Sequence, residues 1–472
     1  MRRTNTLPVI EKAEIIDIAN EGKGIAKHED LVIFVEKVVP GDVVDIQIHK
    51  KKKNLAEASP IHFHTYSPDR TEAFCSHFGS CGGCKWQNMN YESQLRFKHK
   101  IVSDALHRLA KIELPTILPI KGSLETKHYR NKLEFTFSNK RWLEKEEIAS
   151  EEKFDMDALG FHVPKRFDKI IDIHQCYLQD NRSDEIRNEI RTFCKAHQFS
   201  FYDIRMNTGL MRNIIIRNTS LDEWMVVVVF AEPEMEKIES LMEHVKNKFP
   251  YIQSLQYIIN QKKNDTIFDQ EIMCYHGETF IHEQMLDLNK QQIKFRISAK
   301  SFYQTNAKQA EALYHIAGNM ADLNGNEVVY DLYTGTGTIA NFIASKAKKV
   351  VGIEYVPDAI EDAKINSEIN NIHNTVFYAG DMKDLLTDEF TALNGKPDVI
   401  ITDPPRAGMH ENVCSQLLKL EAEKIVYVSC NPATQARDLA LLHEKYKVMQ
   451  VQPVDMFPHT EHVENVVLLK LK

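Results

Sequence analysis

Apolar runs and amphipathic segments alternate along the last third of the chain. Short runs rich in valine and isoleucine predict buried strands, and the longer segments between them have helical spacing. The predicted strands cover residues 328–332, 350–354, 376–379, 399–402 and 425–429, with helices such as 357–370 and 434–444 between them. This alternation predicts an α/β domain with a doubly wound, mainly parallel sheet. Strands 447–451 and 463–470 are expected to close one edge as an antiparallel pair.

The first sixty residues show a different pattern, in which short β-rich runs alternate with turns. The runs 13–18, 31–35 and 42–48 predict strands, and the glycine-containing segments 20–24 and 40–41 predict the turns between them. Several short strands in so few residues favour a small OB-like barrel, a frequent platform for nucleic acids. A purely structural β-module fits the same pattern.

The middle of the chain predicts a mixed α+β region. A helix is expected from Tyr91 to about Ala110, and strands are expected at 132–138, 214–218 and 224–231. The sequence thus predicts three domains: an N-terminal barrel over residues 1–61, a central domain over 62–290 and an α/β domain over 291–472.

Composition and charge narrow the classes of function. No run is long and apolar enough for a membrane span, and the N-terminus lacks the apolar segment of a signal peptide, so we expect a cytoplasmic protein. Its eight cysteines then indicate metal binding or catalysis rather than disulfides. The net charge of −8 disfavours a simple nucleic-acid binder, although the basic run 49–53 permits a local positive surface.

A glycine-containing loop follows the first strand of the α/β domain. It begins at Asp331 and includes Gly335 and Gly337, and Glu354 ends the next strand, where a carboxylate can bind ribose hydroxyls. The same glycines partly match a dinucleotide fingerprint and leave NAD as an alternative. Asp331 favours S-adenosylmethionine instead, because that ligand is a cation without phosphates.

Two more strand ends carry reactive residues. Asp403-Pro-Pro-Arg406 ends the fourth strand; amine methyltransferases have an aromatic residue where Arg406 stands, which disfavours amine methylation. Cys430 ends the fifth strand in Ser-Cys-Asn-Pro, at the same edge of the sheet. A lone cysteine is usually a small buried hydrophobe, but this position predicts a nucleophile whose pKa is lowered by helix N-termini and a sulfonium.

The residues before the last strand supply a candidate base. Residues 458–464 contain two histidines and two carboxylates, but lack the spacing of a common metal motif. Glu464 is instead expected to face the cleft. Methylation of carbon 5 of uracil needs at least a nucleophile, a general base and contacts for the edge of the uracil ring. The sequence offers Cys430 as the nucleophile that adds to carbon 6, and Glu464 as the general base. Asp403 and Arg406 are the candidate contacts for the uracil edge.

Three cysteines cluster after the barrel and a fourth follows later in the chain. Cys75, Cys81 and Cys84 are separated by short spacers, and Cys176 lies in the middle region. Three close thiolates plus one distant thiolate favour an iron–sulfur cluster, with zinc as the alternative. Cys194, Cys274 and Cys414 have no partners in the pattern and are expected to be inert.

Together these motifs resemble the RNA 5-methyluridine methyltransferases, including the enzymes of the ribosomal large subunit, over essentially the whole chain. The resemblance implies a TRAM barrel, a central domain with a [4Fe–4S] cluster, and a class I methyltransferase domain. It implies RNA as the partner, with 23S ribosomal RNA favoured over transfer RNA. Tyr129-Arg130-Asn131-Lys132 also matches the family and is expected to help hold the RNA.

The resemblance also assigns roles to single residues. It implies that Cys430 is the nucleophile, that Glu464 is the base, and that Cys75, Cys81, Cys84 and Cys176 bind the cluster. The implied contacts of S-adenosylmethionine are Gln304 in Phe-Tyr-Gln-Thr-Asn, Tyr333, Glu354, Asp381 and Asp403. Thr334 and Thr336 depart from the commoner cofactor loop, which leaves the details of the donor contacts open.

Two further hypotheses compete with uridine methylation. Cytosine carbon 5 enzymes commonly have a cysteine directly after the proline of the fourth-strand motif, where this chain has Arg406. A non-catalytic RNA-binding scaffold would keep the fold, but it would need neither Cys430 nor Glu464.

Overall fold

A computed structural model describes residues 7–150 and 152–472 of the chain. Its first unit is a closed barrel with the strand order β1-β2-β3-β5-β4. The strands are β1 (Val9–Ile18), β2 (Gly24–His28), β3 (Leu31–Val35), β4 (Val43–Lys52) and β5 (Leu55–Thr65), with a 3₁₀ turn at Asn20–Gly22. Alternate residues such as Ile15, Ile33 and Ile46 fill its interior. The predicted OB-like barrel is confirmed.

The segment after the barrel, residues 66–90, contains isolated β-bridges and three of the clustered cysteines. It leads into helix α1 (Tyr91–Ala105), which a π-helical turn continues (Leu106–Ala110). Asn90 caps α1 by accepting a hydrogen bond from the N–H of Ser93. The predicted helix from Tyr91 to about Ala110 is confirmed.

The central region is built on a sheet with the strand order β12-β11-β10-β9-β6-β7-β8. The strands are β6 (Lys132–Ser138), β7 (Ala158–Val163), β8 (Arg166–Asp172), β9 (Met211–Asn218), β10 (Trp224–Phe230), β11 (Ile252–Ile259) and β12 (Met273–Gly277). The helices are α2 (Lys145–Ala149), α3 (Asn181–Ala196) and α4 (Met235–Lys248). The three predicted strands are confirmed as β6, β9 and β10, whereas β7, β8, β11 and β12 were not predicted.

A hairpin, β13 (Phe280–Leu286) and β14 (Gln292–Ser298), joins the central region to the C-terminal domain. One apolar core contains Val227 of the central sheet, Phe295 of the hairpin and Val350 of the C-terminal sheet. The hairpin therefore packs between the central sheet and the C-terminal domain. No helix among residues 7–150 and 152–472 is both long and apolar enough to cross a membrane.

The C-terminal domain is the predicted doubly wound sheet, with the order β17-β16-β15-β18-β19-β21-β20. The strands are β15 (Val328–Leu332), β16 (Lys349–Glu354), β17 (Thr375–Ala379), β18 (Val399–Thr402), β19 (Lys424–Ser429), β20 (Tyr446–Val454) and β21 (Glu464–Leu471). The helices are α5 (Ala307–Ala321), α6 (Thr338–Ile343), α7 (Pro357–Ile369), α8 (Met382–Leu385), α9 (Asp388–Asn394), α10 (Glu411–Leu420) and α11 (Pro432–Leu442), with a 3₁₀ turn at Ala344–Lys346. Strands β15 to β19 are parallel, and β20 and β21 form the expected antiparallel pair at one edge.

Candidate active site

The carboxyl ends of the parallel strands meet along one edge of the C-terminal sheet, where ligands of such sheets bind. Asp331 lies one residue before the end of β15, and Glu354 is the last residue of β16. Asp403 follows β18, and Cys430 follows β19. The strand order therefore brings together four residues that are far apart in the sequence.

Cys430 and Glu464 lie next to each other at one edge of the sheet, where β19 ends and β21 begins. Ser429 at the end of β19 pairs with Asn465 of the antiparallel strand β21. Cys430 follows Ser429 and Glu464 precedes Asn465, so the two side chains lie at the same point of the cleft. Glu464 is 6 % exposed, and its charge and that of Asp403 both act on the Cys430 thiol.

For the protein without ligand, the prediction that the pKa of Cys430 is lowered is wrong. Burial raises the pKa of the thiol to about 11, and the nearby carboxylates of Glu464 and Asp403 raise it further than Arg406 lowers it. A reactive thiolate therefore needs additional positive charge in the cleft.

The pKa values of the carboxyl groups in the cleft are also shifted. Burial raises the pKa of Glu464, and repulsion from Asp403 raises it further, while Arg406 opposes the shift. Burial also raises the pKa of Asp403. Two carboxyl groups that repel each other in a poorly hydrated cleft are stabilised by a cation between them. The cleft is therefore suited to a positively charged ligand.

Two residues that the sequence analysis missed hold the loop after Asp403. Asn431 caps α11 and donates from Nδ2 to the backbone oxygen of Arg406 at 3.0 Å. Asp438 of α11 is buried and accepts a hydrogen bond from the N–H of Met409 at 2.8 Å. The asparagine before a proline that starts a helix was a detectable capping signal, whereas nothing in the sequence pattern pointed to Asp438.

The cofactor loop has the strained backbone that its sequence predicts. Tyr333, Gly335 and Gly337 have φ values of 62°, 55° and 73°. A Cβ atom at Gly337 would lie 2.9 Å from the Cβ of Ala363, so glycine is required there, whereas a Cβ at Gly335 would meet open space. The loop thus leaves room for a ligand above Gly335.

Thr334 and Thr336, the departures from the commoner loop, have specific contacts. Thr334 donates to Oδ2 of Asp331 at 2.5 Å, and Thr336 donates to the backbone oxygen of Phe302 at 3.3 Å. The other Asp331 oxygen, Oδ1, is buried and has no hydrogen-bond partner within the described ranges. Burial raises the pKa of Asp331 to about 7. A cationic ligand such as the predicted methyl donor would satisfy this carboxylate.

The other predicted donor contacts surround the loop at different distances from the cleft. Glu354 accepts hydrogen bonds from the N–H groups of Gly335 at 3.2 Å and Val356 at 3.1 Å, so its carboxylate faces the cofactor loop. Asp381 caps α8 and pairs with Lys383, which places it at the rim.

Gln304 lies in the segment between β14 and α5, which contacts both the central region and the C-terminal domain. Its backbone oxygen accepts a hydrogen bond from Asn131 at 3.0 Å. Nearby, Asn306 caps α5 and donates from Nδ2 to the backbone oxygen of Met456 at 2.9 Å. Phe302 is 69 % exposed. The segment is therefore fixed by its backbone, while Phe302 faces solvent.

The four predicted cluster cysteines line one cavity of about 170 Å³. Burial raises the pKa values of Cys81 to about 11 and of Cys84 and Cys176 to about 12, and it also raises the pKa of Cys75. The N–H of Gly83 donates to the sulfur of Cys81 at 3.4 Å. No group of three or more Cys, His, Asp or Glu side chains in residues 7–150 and 152–472 is placed to hold a metal ion.

The strand order, the glycine loop and the acidic strand ends define a class I S-adenosylmethionine-dependent methyltransferase. A solved structure agrees over nearly the whole chain: the tRNA (uracil-54, C5)-methyltransferase of Pyrococcus abyssi in complex with S-adenosyl-L-homocysteine. It is 28 % identical, with a TM-score of 0.74, over 97 % of this chain and 100 % of that chain.

The sequence model described as tRNA (Uracil-5-)-methyltransferase matches residues 90–472, and the TRAM domain model matches residues 11–61. RNA methyltransferases described as uncharacterized are 57 % identical in Bacteroides thetaiotaomicron and 39 % identical in Chlorobaculum tepidum. These matches cover 96 % of this chain in both cases, and 100 % and 94 % of the relatives. The chain belongs to the family of RNA uracil-C5 methyltransferases, and the NAD-dependent and cytosine-specific alternatives are wrong.

The charge of the cleft predicts how donor binding depends on pH. Because burial raises the pKa of Asp331 to about 7, this carboxyl group is protonated in the free protein at lower pH and must ionise to bind a cation. Donor binding is therefore expected to release a proton at pH below about 7. We expect the affinity for S-adenosylmethionine to rise with pH below about 7 and to level off above it, as measured by calorimetry in two buffers of different ionisation enthalpy.

S-adenosylhomocysteine is the matched control ligand, because it lacks the sulfonium charge. Its affinity should depend less steeply on pH, and Asp331→Asn should flatten the profile of S-adenosylmethionine. Equal pH profiles for the two ligands would show that the buried carboxylates do not recognise the sulfonium charge.

Proposed function

We propose that the protein transfers a methyl group from S-adenosylmethionine to carbon 5 of a uridine in RNA through a covalent adduct with Cys430. The proposal is supported above all by the position of Cys430 beside Glu464, at the ends of β19 and β21. A thiol and a buried carboxyl group at one point of the cleft are the nucleophile and the base that this reaction needs.

Cys430 is proposed to carry out the first half of the reaction. Carbon 5 of uracil is a poor nucleophile, and addition of the Cys430 thiolate at carbon 6 makes it an enolate carbon. Arg406 and Asp403 lie at the same strand end and are proposed to contact the uracil edge. S-adenosylmethionine supplies the methyl group and, through its sulfonium, the positive charge that favours the thiolate.

Glu464 is proposed to carry out the second half of the reaction. After methylation, carbon 5 carries both a methyl group and a proton. The Glu464 carboxylate takes this proton, the C–H electron pair forms the C5–C6 double bond, and the C6–S bond breaks to return the Cys430 thiolate. Burial suits Glu464 to this role, because a raised pKa makes its carboxylate a stronger base.

The donor is proposed to lie along the strand ends from β15 to β18. Its proposed contacts are Gln304, Tyr333, Glu354, Asp381 and Asp403. Glu354 is proposed to bind the ribose hydroxyls, since its carboxylate lies against the cofactor loop. Asp381 is proposed to contact the adenine from the rim.

We propose 23S ribosomal RNA as the substrate, because the combination of barrel and cysteine cluster favours the ribosomal branch of the family. Transfer RNA is the second candidate, because the similar Pyrococcus abyssi enzyme is a tRNA (uracil-54, C5)-methyltransferase and aligns with 97 % of this chain. The proposed RNA-binding parts are the barrel, residues 1–61, and the central domain, residues 62–290, with catalysis in residues 291–472. The reaction is proposed to occur in the cytoplasm.

The decisive experiment transfers labelled methyl groups to RNA from cells that lack this protein, followed by nucleoside analysis and sizing of the labelled RNA. Label in 5-methyluridine of 23S RNA is the expected result. Label in transfer RNA would replace the ribosomal proposal by the second candidate. An absence of label in any nucleoside, with donor bound, would support the non-catalytic scaffold instead.

We also propose that Cys75, Cys81, Cys84 and Cys176 bind a [4Fe–4S] cluster, with zinc as the alternative. Their common cavity is larger than a single ion needs, and the buried thiols require positive charge to ionise. Backbone N–H groups near the sulfurs, such as that of Gly83, are typical of cluster sites. A bound cluster would stabilise the segment around residues 75–84.

Anaerobically purified protein is therefore expected to be brown and to contain about four irons per chain, as the proposed cluster requires. Cys84→Ser should lose the colour and most of the iron. Cys274→Ser is the matched control, because Cys274 is exposed in β12 and does not line the cavity. A colourless protein with bound zinc would favour the zinc alternative.

A further inference from the structure

The connection between β20 and β21 leads directly to Glu464. We call residues 455–463 the base loop. It has no regular secondary structure, yet Asp455, Met456 and His459 are buried. A buried loop is held in place by the partners of its backbone and side chains. These partners therefore determine the position of Glu464, the first residue after the loop.

Helix α1 holds the first part of the base loop. Lys98 donates from Nζ to Oδ1 of Asp455 at 2.6 Å and to the backbone oxygen of Phe457 at 2.9 Å. The hydroxyl of Tyr91 donates to the other oxygen of Asp455 at 2.8 Å. Lys98 and Asp455 are both 0 % exposed, so each charge is stabilised by the other.

His459, in the middle of the base loop, has a φ of 65°, which is rare for a residue other than glycine. Oε1 of Gln94 in α1 accepts from the N–H of His459 at 2.8 Å. Its Nε2 donates to the backbone oxygens of Trp86 and Met89, both at 2.9 Å, and lies 3.1 Å from Nδ1 of the His459 ring. The N–H groups of Lys85 and Trp86 donate to the backbone oxygen of His459 at 2.9 and 3.1 Å.

These contacts connect the base loop to the segment of the four cysteines. Lys85 directly follows Cys84, and its side chain also pairs with Glu461 of the base loop. Tyr129 donates from its hydroxyl to the backbone oxygen of Pro458 at 2.9 Å. The base loop is thus held by α1, by the chain after Cys84 and by Tyr129.

We propose that Gln94 is a positioning residue for proton removal: by holding His459 in its left-handed conformation, it sets the position of the Glu464 carboxylate. The inference rests on the proposed function, because it assigns Gln94 to the step in which Glu464 takes the carbon 5 proton and the bond to Cys430 breaks. Formation of the adduct and methyl transfer do not require Glu464 and should not require Gln94.

Gln94→Met tests the proposal, because methionine keeps the approximate volume and removes the acceptor of the His459 N–H together with the Nε2 contacts to Trp86, Met89 and His459. In single-turnover reactions with labelled donor and substrate RNA, we expect the rate of methyl transfer to RNA to change less than about threefold, whereas release of methylated RNA slows by about tenfold or more. Methylated RNA should therefore accumulate bound to protein on a denaturing gel.

Val102→Ala is the matched control. Val102 is fully buried in the same helix but packs in the apolar core of the C-terminal domain. It should lower the unfolding temperature without accumulation of adduct. Equal slowing of both steps in Gln94→Met, or no accumulation, would mean that Gln94 has only a structural role and would overturn the proposal.

Tyr91→Phe is the second variant in case Gln94→Met does not fold, since it removes only the hydroxyl that donates to Asp455 of the base loop. A smaller delay in release, with methyl transfer unchanged, is expected, and unchanged release would contradict the inference. The wild-type reaction separates the two hypotheses. If the wild type forms no 5-methyluridine, the proposed function fails; if it does and neither variant delays release, only this inference fails.

Discussion

Cys430→Ala is expected to abolish methyl transfer to RNA. Without the thiolate, carbon 6 has no nucleophile to add to it, and carbon 5 is not activated toward the methyl group. Loss of a covalent nucleophile lowers turnover by on the order of 10⁴-fold or more. Affinity for S-adenosylmethionine should change by less than about threefold, or about 0.7 kcal/mol, because the uncharged thiol contributes little to binding a cation.

The measurement combines methyl transfer in single turnover with calorimetry of donor binding. Cys414→Ala is the matched control, because Cys414 is 1 % exposed in α10 of the same domain and belongs to the apolar core. It should cost some stability and leave turnover near normal. A Cys430→Ala protein that methylates RNA at the wild-type rate would exclude the covalent mechanism.

The strand ends of the C-terminal domain could be predicted because parallel sheets follow simple rules. Hydrophobic periodicity located β15, β16, β18 and β19, and the carboxyl ends of parallel strands lie at one edge. Asp331, Glu354, Asp403 and Cys430 therefore had to converge. The exposed or polar strands of the central sheet, such as β8 and β12, carry no such signal and were missed.

The contacts that hold the base loop could not be predicted. Lys98 and Asp455 are 357 residues apart in the sequence, and Gln94 and His459 are 365 residues apart. No local pattern distinguishes a lysine that will be buried beside an aspartate from one that stays in solvent. Such pairs follow from the packing of α1 against the C-terminal domain, which depends on the whole fold.

The pKa of Cys430 in the free protein differs from the predicted direction for a related reason. A helix N-terminus is visible in the sequence, but the balance between its partial charge, burial and two carboxylates is not. In the free protein this balance raises the pKa of Cys430. A raised pKa keeps this thiol protonated at neutral pH in the free protein.

Glu464→Gln is expected to trap methylated RNA on Cys430. Glutamine keeps the size of the side chain but cannot accept the carbon 5 proton, so the C6–S bond does not break. Adduct formation should proceed, and release of RNA should slow by about 10²- to 10⁴-fold, the usual contribution of a general base. A denaturing gel with labelled donor measures the adduct, which should carry label in amounts close to the amount of enzyme.

Two controls make this result specific to Glu464. Glu283→Gln changes another buried carboxyl group, 1 % exposed in β13 and bonded to Ser220, and should leave release unchanged. The double variant Cys430→Ala with Glu464→Gln should give no adduct, because the trapped bond requires the thiol. If Glu464→Gln alone turns over normally, another group removes the proton, and the burial of Glu464 beside Cys430 then has only a structural role.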